Sequence, residues 1–377
     1  MRPSSDGSGG KRSESGGPPA GTDHARRPVV VVWELTQACD LACKHCRAEA
    51  IPRRHPDELS TAEGRALLEG VRGFGAGQLV VLSGGDPIYR DDAIDLVEHG
   101  TDLGLRMTMT PSGTTSLDDG IIAELRDAGL RRLALSLDGG NAEAHDDFRG
   151  EAGSFDRTLA AARGADDLGL PLQVNTTVCA ETVDDLPAIR DLVADLGAAL
   201  WSVFFLVPVG RGATLESIQP ARAEAVMRWL DEVREAASFG VKTTEAPHFR
   251  RVAMQRREID PGATADEAPR RNGVTAGCGF MFVSHTGEVY PSGFLPVTTG
   301  SVLQSDPVRI YRESTLFRSL RDCDALRGKC GVCAYRHVCG GSRSRAYAAT
   351  GDPLASDPLC PYRPAGYDGP MPVTSGR

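Results

Sequence analysis

Between Val29 and Gly240 the chain alternates, six times over, a short apolar or β-branched run with an amphipathic stretch. VVVVWELT precedes TAEGRALLEGVRGFG, QLVVLSGG precedes DDAIDLVEHGTDLG, and RMTMTPSG precedes LDDGIIAELRDAG. RRLALSLDG, LQVNTTV and LWSVFFLV are each followed by a helical pattern in the same way. Near-continuous apolar strands joined by crossover helices require a parallel sheet, and right-handed crossovers in sequence curl it toward a barrel. Six units fall short of a closed eight-fold barrel. The predicted fold is therefore α/β, a partial (β/α)6 TIM-type barrel over residues 28–245. Ser60 with Glu63 reads as a capping box, and Gly75, Gly104, Gly129, Gly169, Gly197 and Gly240 stand where helices should stop.

Outside that repeat the composition changes. Residues 1–27 are Gly, Ser, Pro and Arg with almost no aliphatic content, which predicts a disordered tail. Residues 246–275 read as a charged linker, residues 276–364 as a small domain of short strands and turns, and residues 365–377 as a second tail. No run of 18 apolar residues occurs and the N-terminus lacks the apolar stretch of a secretory signal, so a soluble cytoplasmic protein without membrane contact is expected. A net charge of −9 argues against nucleic acid as a partner. The chain has ten cysteines, and clustered thiols in a reducing compartment hold metals more often than they form disulfides.

Cys39, Cys43 and Cys46 form a C-x3-C-x2-C run in the loop after the first strand, at the edge of the sheet where such folds place their chemistry. Three thiolates can hold three irons of a [4Fe–4S] cube and leave the fourth open to a non-protein ligand, whereas an electron-transferring cluster normally has four cysteines. A zinc site completed by His45 is the alternative, but adjacent His45 and Cys46 do not easily reach one tetrahedral ion. Of the remaining cysteines, Cys330-x2-Cys333-x5-Cys339 with Cys360 supplies four thiolates, enough for a fully ligated cluster or for a zinc ribbon. Cys179 and Cys323 lack such spacing and read as packing residues, and Cys278 reads as a buried thiol or a remnant.

The N-terminal run resembles the signature of the radical S-adenosylmethionine (SAM) superfamily, C-x3-C-x-Φ-C, with His45 at Φ. The resemblance covers about residues 28–364. It implies that Cys39, Cys43 and Cys46 bind a [4Fe–4S] cluster whose open iron chelates SAM, and that reductive cleavage of SAM gives a 5′-deoxyadenosyl radical that abstracts a substrate hydrogen. Ser83, Gly84, Gly85 and Asp86 resemble the family's GGE motif, with Asp86 in place of the commoner Glu. Ser112 falls at the third strand end, where relatives contact the ribose and often carry Asn. Ser136 and Arg149 resemble the pair that binds the SAM carboxylate and ribose, and Asn175 and Leu206 would flank the adenosine.

The C-terminal cysteines resemble the SPASM/Twitch extension, whose full form has seven cysteines and two auxiliary clusters. Ser292 and Arg343 stand where two of the seven would be, and both losses fall on the first auxiliary cluster. The resemblance thus implies two [4Fe–4S] clusters, the second held by Cys330, Cys333, Cys339 and Cys360 and suited to electron transfer.

This pattern is similar to the radical SAM proteins of alternative haem and d-type haem biosynthesis, which act on tetrapyrrole propionates. Mycofactocin and pyrroloquinoline quinone maturases, which act on peptides, share the architecture. A ferredoxin or flavodoxin is the expected electron donor. Arg250, Arg251, Arg256 and Arg257 could clamp propionates or an acidic peptide, or form a solvated helix balanced by Glu258 and Asp260, with Arg343 and Arg345 as further cations; His248 is a candidate ligand to a haem iron. A non-catalytic iron–sulfur carrier is the reading from a different class, favoured only by Asp86.

Overall fold

The computed structural model describes residues 23–262 and 274–373. Among these, one ten-stranded sheet dominates: β1 Val30–Thr36, β2 Leu79–Gly84, β3 Arg106–Met109, β4 Leu133–Ser136, β5 Leu172–Val178, β6 Leu200–Phe205, β7 Gly240–Thr244, β8 Phe280–Val283, β9 Glu288–Tyr290 and β10 Gly300–Ser301. Strands β1 to β7 lie side by side in sequence order and pair in parallel. β8 adds a parallel partner on the other side of β1, and β9 and β10 follow antiparallel. All six expected strand–helix units are present, with helices Thr61–Arg72, Ala93–Asp102, Asp119–Asp127, Ser154–Asp167, Leu186–Asp195 and Pro220–Ala236.

The helices cover one face of the sheet. Trp33 lies against Gly64 of the first helix, Met107 against Gly100 of the second, and Trp201 packs edge-on to Trp229 of the sixth with centroids 6.0 Å apart. Residues one position away on each strand therefore point to the opposite, concave face. Glu34, Thr108, Asn175, Ser202, Lys242 and Phe282 share that second face by strand alternation. The Ser60–Glu63 capping box forms as expected: Ser60 Oγ accepts from Glu63 N and Ser60 N donates to Glu63 Oε2.

Three expectations change. Gly240 does not end a helix; the sixth helix stops at Ala236, and Gly240 N donates to Ala199 O to open β7, a seventh parallel strand. Residues 23–27, expected in the tail, are packed: His24 O accepts from Tyr311 Oη at 2.7 Å and Arg26 O from Arg312 Nε at 2.9 Å. Residues 1–22 and 374–377 of the expected tails lie outside the described residues. Within the expected linker, Phe249–Arg256 is a helix packed on Pro220–Ala236. Three of its arginines pair with that neighbour, and the fourth, Arg250, donates to Val338 O. Arg256 and Arg257 both pair with buried Asp231, Arg257 also with Glu235, and Arg251 with Glu224. No helix among the described residues is long and apolar enough to cross a membrane.

Candidate active site

The loop from Gln37 to Ile51 leaves β1 and is tied back at both ends: Cys39 N donates to Ile51 O and Ile51 N to Gln37 O. Cys39 and Cys43 are buried and Cys46 half-buried, and the three pack with Leu41 and Ala50 as one group. Burial pushes the Cys39 and Cys43 thiols up from their ordinary range, so only a strong local cation would hold them as thiolates. Arg149 supplies one such charge. Burial works against its guanidinium, but the charges of Cys43, Asp138, Cys39 and Cys46 outweigh that and raise it further.

Three elements hold the loop. Helix Ala142–Arg149, which the strand–helix pattern did not reveal, is capped by Asn141 and ends at Gly150; Phe148 O accepts from Lys44 N, and His45 lies flat on the Phe148 ring with centroids 4.9 Å apart. Burial, against the pull of Asp138, lowers the His45 imidazole to about 4, so it sits there neutral. Arg211, in the turn after β6, donates Nε to Cys43 O at 2.9 Å and Nη1 to Ala50 O at 3.1 Å. Gly210 beside it has a positive φ, and a Cβ there would stand 2.6 Å from the carbonyls of Cys46 and Arg47. Neither Arg211 nor Asp138 was singled out from sequence, although GRG after the sixth strand is a signal for a close backbone approach.

The other expected contacts fall around this loop. Gly85 N donates to Thr36 O and Asp86 N to Ala38 O, and a Cβ on Gly84 or Gly85 would meet those carbonyls at 2.2 Å. Only glycines bring β2's end that close to the cysteine loop. Asp86 is buried; its carboxylate accepts from Thr114 Oγ1 at 2.7 Å and from the amides of Ile88 and Ser112, while burial raises its pKa. Its shorter side chain caps its own turn. Ser83 ends in register with Glu34. Ser112 Oγ lies 3.4 Å from Cys39 Sγ and donates to Gly85 O. Arg149 reaches Asp138 Oδ2 at 3.4 Å and Ser112 O at 3.3 Å. Ser136 and Asn175 are register partners, and Leu206 packs with Phe148 and Cys179.

In the C-terminal extension Cys330, Cys333, Cys339 and Cys360 line one pocket, with Arg251, Lys329 and Tyr362 beside them. Arg343 Nη2 stands 3.9 Å from Cys330 Sγ and Arg251 Nη2 the same distance from Cys360 Sγ. Ser292 and Arg343, the two positions without cysteine, are occupied otherwise: Ser292 Oγ donates to Glu245, and Arg343 donates to the carbonyls of Gly341, Pro353 and Ala355. Among the described residues no three His, Cys, Asp or Glu side chains converge on a single ion.

His248 is not a free haem ligand. It is fully buried, its Nδ1 is 3.8 Å from Asp357 Oδ2, and burial, then the charges of Arg345 and Arg251 against that of Asp357, pull it down to about 3. An unfolded imidazole binds a proton below about pH 6.5, and the folded one does not until about 3. Stability from this residue is thus complete above about pH 6.5 and falls as the pH drops toward 3, by up to about 1.4 kcal/mol per pH unit. Denaturation midpoints measured from pH 7 to 5 should fall less steeply in His248→Gln; an unchanged slope would mean that the imidazole is not buried neutral.

Residues 33–193 match the radical SAM superfamily. An "AdoMet-dependent heme synthase" of Methanosarcina barkeri is 40% identical over 341 residues, covering 89% of this chain and 97% of its own length. The chain belongs to the radical SAM superfamily. The mycofactocin maturase MftC of Mycolicibacterium smegmatis is 30% identical over 349 residues, covering 88% of this chain and 82% of its own. SAM-bound SuiB of Streptococcus suis superposes with a TM-score of 0.70 at 15% identity over 89% of this chain and 78% of its own, a likeness of fold. A radical SAM enzyme binds SAM and a [4Fe–4S] cluster, and this chain is one of them.

Proposed function

We propose that this enzyme oxidatively decarboxylates propionate side chains of a tetrapyrrole, working in the cytoplasm with a ferredoxin or flavodoxin as electron donor. The observation that carries the reading is the 40% identity to a heme synthase along almost its whole length, against 30% to a peptide maturase. Cys39, Cys43 and Cys46 would hold the SAM-binding cluster, and their fit rests on three grouped sulfurs whose charges the Arg149 guanidinium feels. SAM bound there supplies a carbon radical able to take a hydrogen atom from the substrate.

Around that centre the chain's own groups position and enclose. Gly84 and Gly85 let the end of β2 close on the cysteine loop, the Asp86 carboxylate is used by Thr114, and Ser83, Ser112, Ser136, Arg149, Asn175 and Leu206 would line SAM, with His45 behind them. Removing a hydrogen from the propionate and releasing carbon dioxide leaves a vinyl group and one electron. Cys330, Cys333, Cys339 and Cys360 would hold a second, fully ligated cluster to accept that electron. Guanidinium groups at 3.9 Å from two of those sulfurs favour its reduced, more negative form. With Ser292 and Arg343 engaged elsewhere, Cys278 lacks the partners for a third.

Anaerobic protein given dithionite, SAM and iron coproporphyrin III should form 5′-deoxyadenosine together with porphyrin products lighter by carbon dioxide. 5′-Deoxyadenosine with no porphyrin product would turn the reading to a peptide substrate, and no 5′-deoxyadenosine would leave an iron–sulfur carrier.

A further inference from the structure

Three cations share the concave face of the sheet and have no partner there. Strand register places Ser136 of β4 beside Asn175 of β5, Asn175 beside Ser202 of β6, and Ser202 beside Lys242 of β7. Neighbours in register point to the same side, and hydrogen bonds along the face agree: Gln173 Nε2 donates to Asn175 Oδ1, and Ser202 Oγ lies 3.3 Å from Thr244 Oγ1. Arg132, two positions before Ala134 and four before Ser136, comes up on this side, as does Arg106 at the start of β3.

Among the described residues none of these three forms an ion pair or a side-chain hydrogen bond, and the buried Nε of Arg132 has no acceptor at all. The other described lysines are committed: Lys44 to Asp147 and Glu181, Lys329 to Cys360 O. Lys242 in β7 and Arg132 just before β4 have two strands between them, yet the Arg132 charge acts on the ammonium across the concave face. Solvent reaches Lys242, but surrounding protein and then Arg132 push it down to about 8. The carboxylates at the carboxyl ends of the neighbouring strands are already in use. Glu34 is held by Arg47 and His285, Asp138 by Thr177 N and Arg149, and Glu245 by Ser292, Ser342 and Ser344. Unpaired like charges on one face of the sheet favour an anion from outside.

Resting on the tetrapyrrole reading, we infer that Lys242, backed by Arg132, is a carboxylate anchor on the concave face that takes one propionate of the substrate. Lys242 lies two strand spacings from Asn175, about 10 Å across the sheet. That offset separates it from the row proposed to hold SAM, whose own carboxylate is the other possible source of this chemistry. An ammonium is a point donor on a flexible stem and follows a mobile side chain such as a propionate.

The test uses the full chain with its clusters, acetylated briefly near pH 7.5 and read by mass spectrometry at each lysine; the chain has only Lys11, Lys44, Lys242 and Lys329. Lys242 should react ahead of Lys44. Iron coproporphyrin III should protect it, whereas the tetramethyl ester and SAM alone should not. Lys242→Gln should weaken porphyrin binding, followed by the Soret shift, by about ten- to a hundred-fold, and Lys242→Arg should restore most of it. A porphyrin that binds with an unchanged Soret response to Lys242→Gln, or that leaves Lys242 fully reactive, overturns the anchor and leaves the tetrapyrrole reading intact. Protection by SAM alone reassigns the site to SAM and also overturns it. No porphyrin binding by the wild-type chain overturns both. If Lys242→Gln fails to fold, the wild-type labelling pattern decides.

Discussion

Replacement of Cys39, Cys43 and Cys46 together by alanine should abolish 5′-deoxyadenosine formation and leave about half the iron of the reconstituted protein, about four of about eight atoms. The effect is total for activity because these thiols stand on one loop, and no other described cysteine packs with them. It is partial for iron because Cys330, Cys333, Cys339 and Cys360 line a separate pocket. The loop should survive the substitution, since Arg211, Phe148 O and the Gln37–Ile51 bonds hold its backbone, not its sulfurs. Wild-type protein with about four irons would remove the second cluster, and about twelve would bring Cys278 into a third. Substantial zinc in protein made with ample iron would replace the cluster at the C-terminal cysteines with a ribbon.

Much of this was legible because local pattern and local chemistry agree. The six strand–helix units, the Ser60 cap and the glycines at 75, 104, 129, 169 and 197, all with positive φ, follow from periodicity and from the strain a side chain would suffer. What escaped depends on contacts distant in sequence. β7 carries VKTT, whose lysine looks like the end of a strand pattern until its place on the concave face is known. β8 returns to β1 across some 250 residues, so the extension shares the barrel's sheet. Arg251, Arg256 and Arg257 looked free because their partners, Glu224, Asp231 and Glu235, lie on the preceding helix rather than three or four positions away, and Arg250 because it bonds Val338 O, 88 residues on. Asp86 and Arg343 are identifiable as motif positions, but only their neighbours decide that each is used for structure.

Asp357→Ala should destabilise the fold by about 3–5 kcal/mol, the range for stripping the partner from a buried charge. Asp357 is fully buried and accepts from Ser342 N at 2.8 Å, from Leu359 N at 3.0 Å and from Arg345 Nη1 at 3.3 Å. Arg345 in turn donates to Phe205 O and Leu206 O where β6 ends, so this one carboxylate ties the loop before Cys360 to the barrel. Burial opposes its charge, yet Arg345, with the Ser342 and Leu359 amides, keeps its pKa below the usual carboxylate range. An unfolded aspartate binds its proton near pH 4, above the folded value, so the contribution is complete above about pH 4 and disappears as the pH falls through the lowered folded pKa. Guanidinium denaturation at pH 7 should give the full loss in Asp357→Ala. The double variant Asp357→Leu with Arg345→Met should recover a large part of it, because no charge is then left stranded. A single variant within about 1 kcal/mol of wild type would mean that water already reaches Arg345. Iron analysis of the same single variant should register loss at the C-terminal cysteines first, since Cys360 follows Asp357 by three residues.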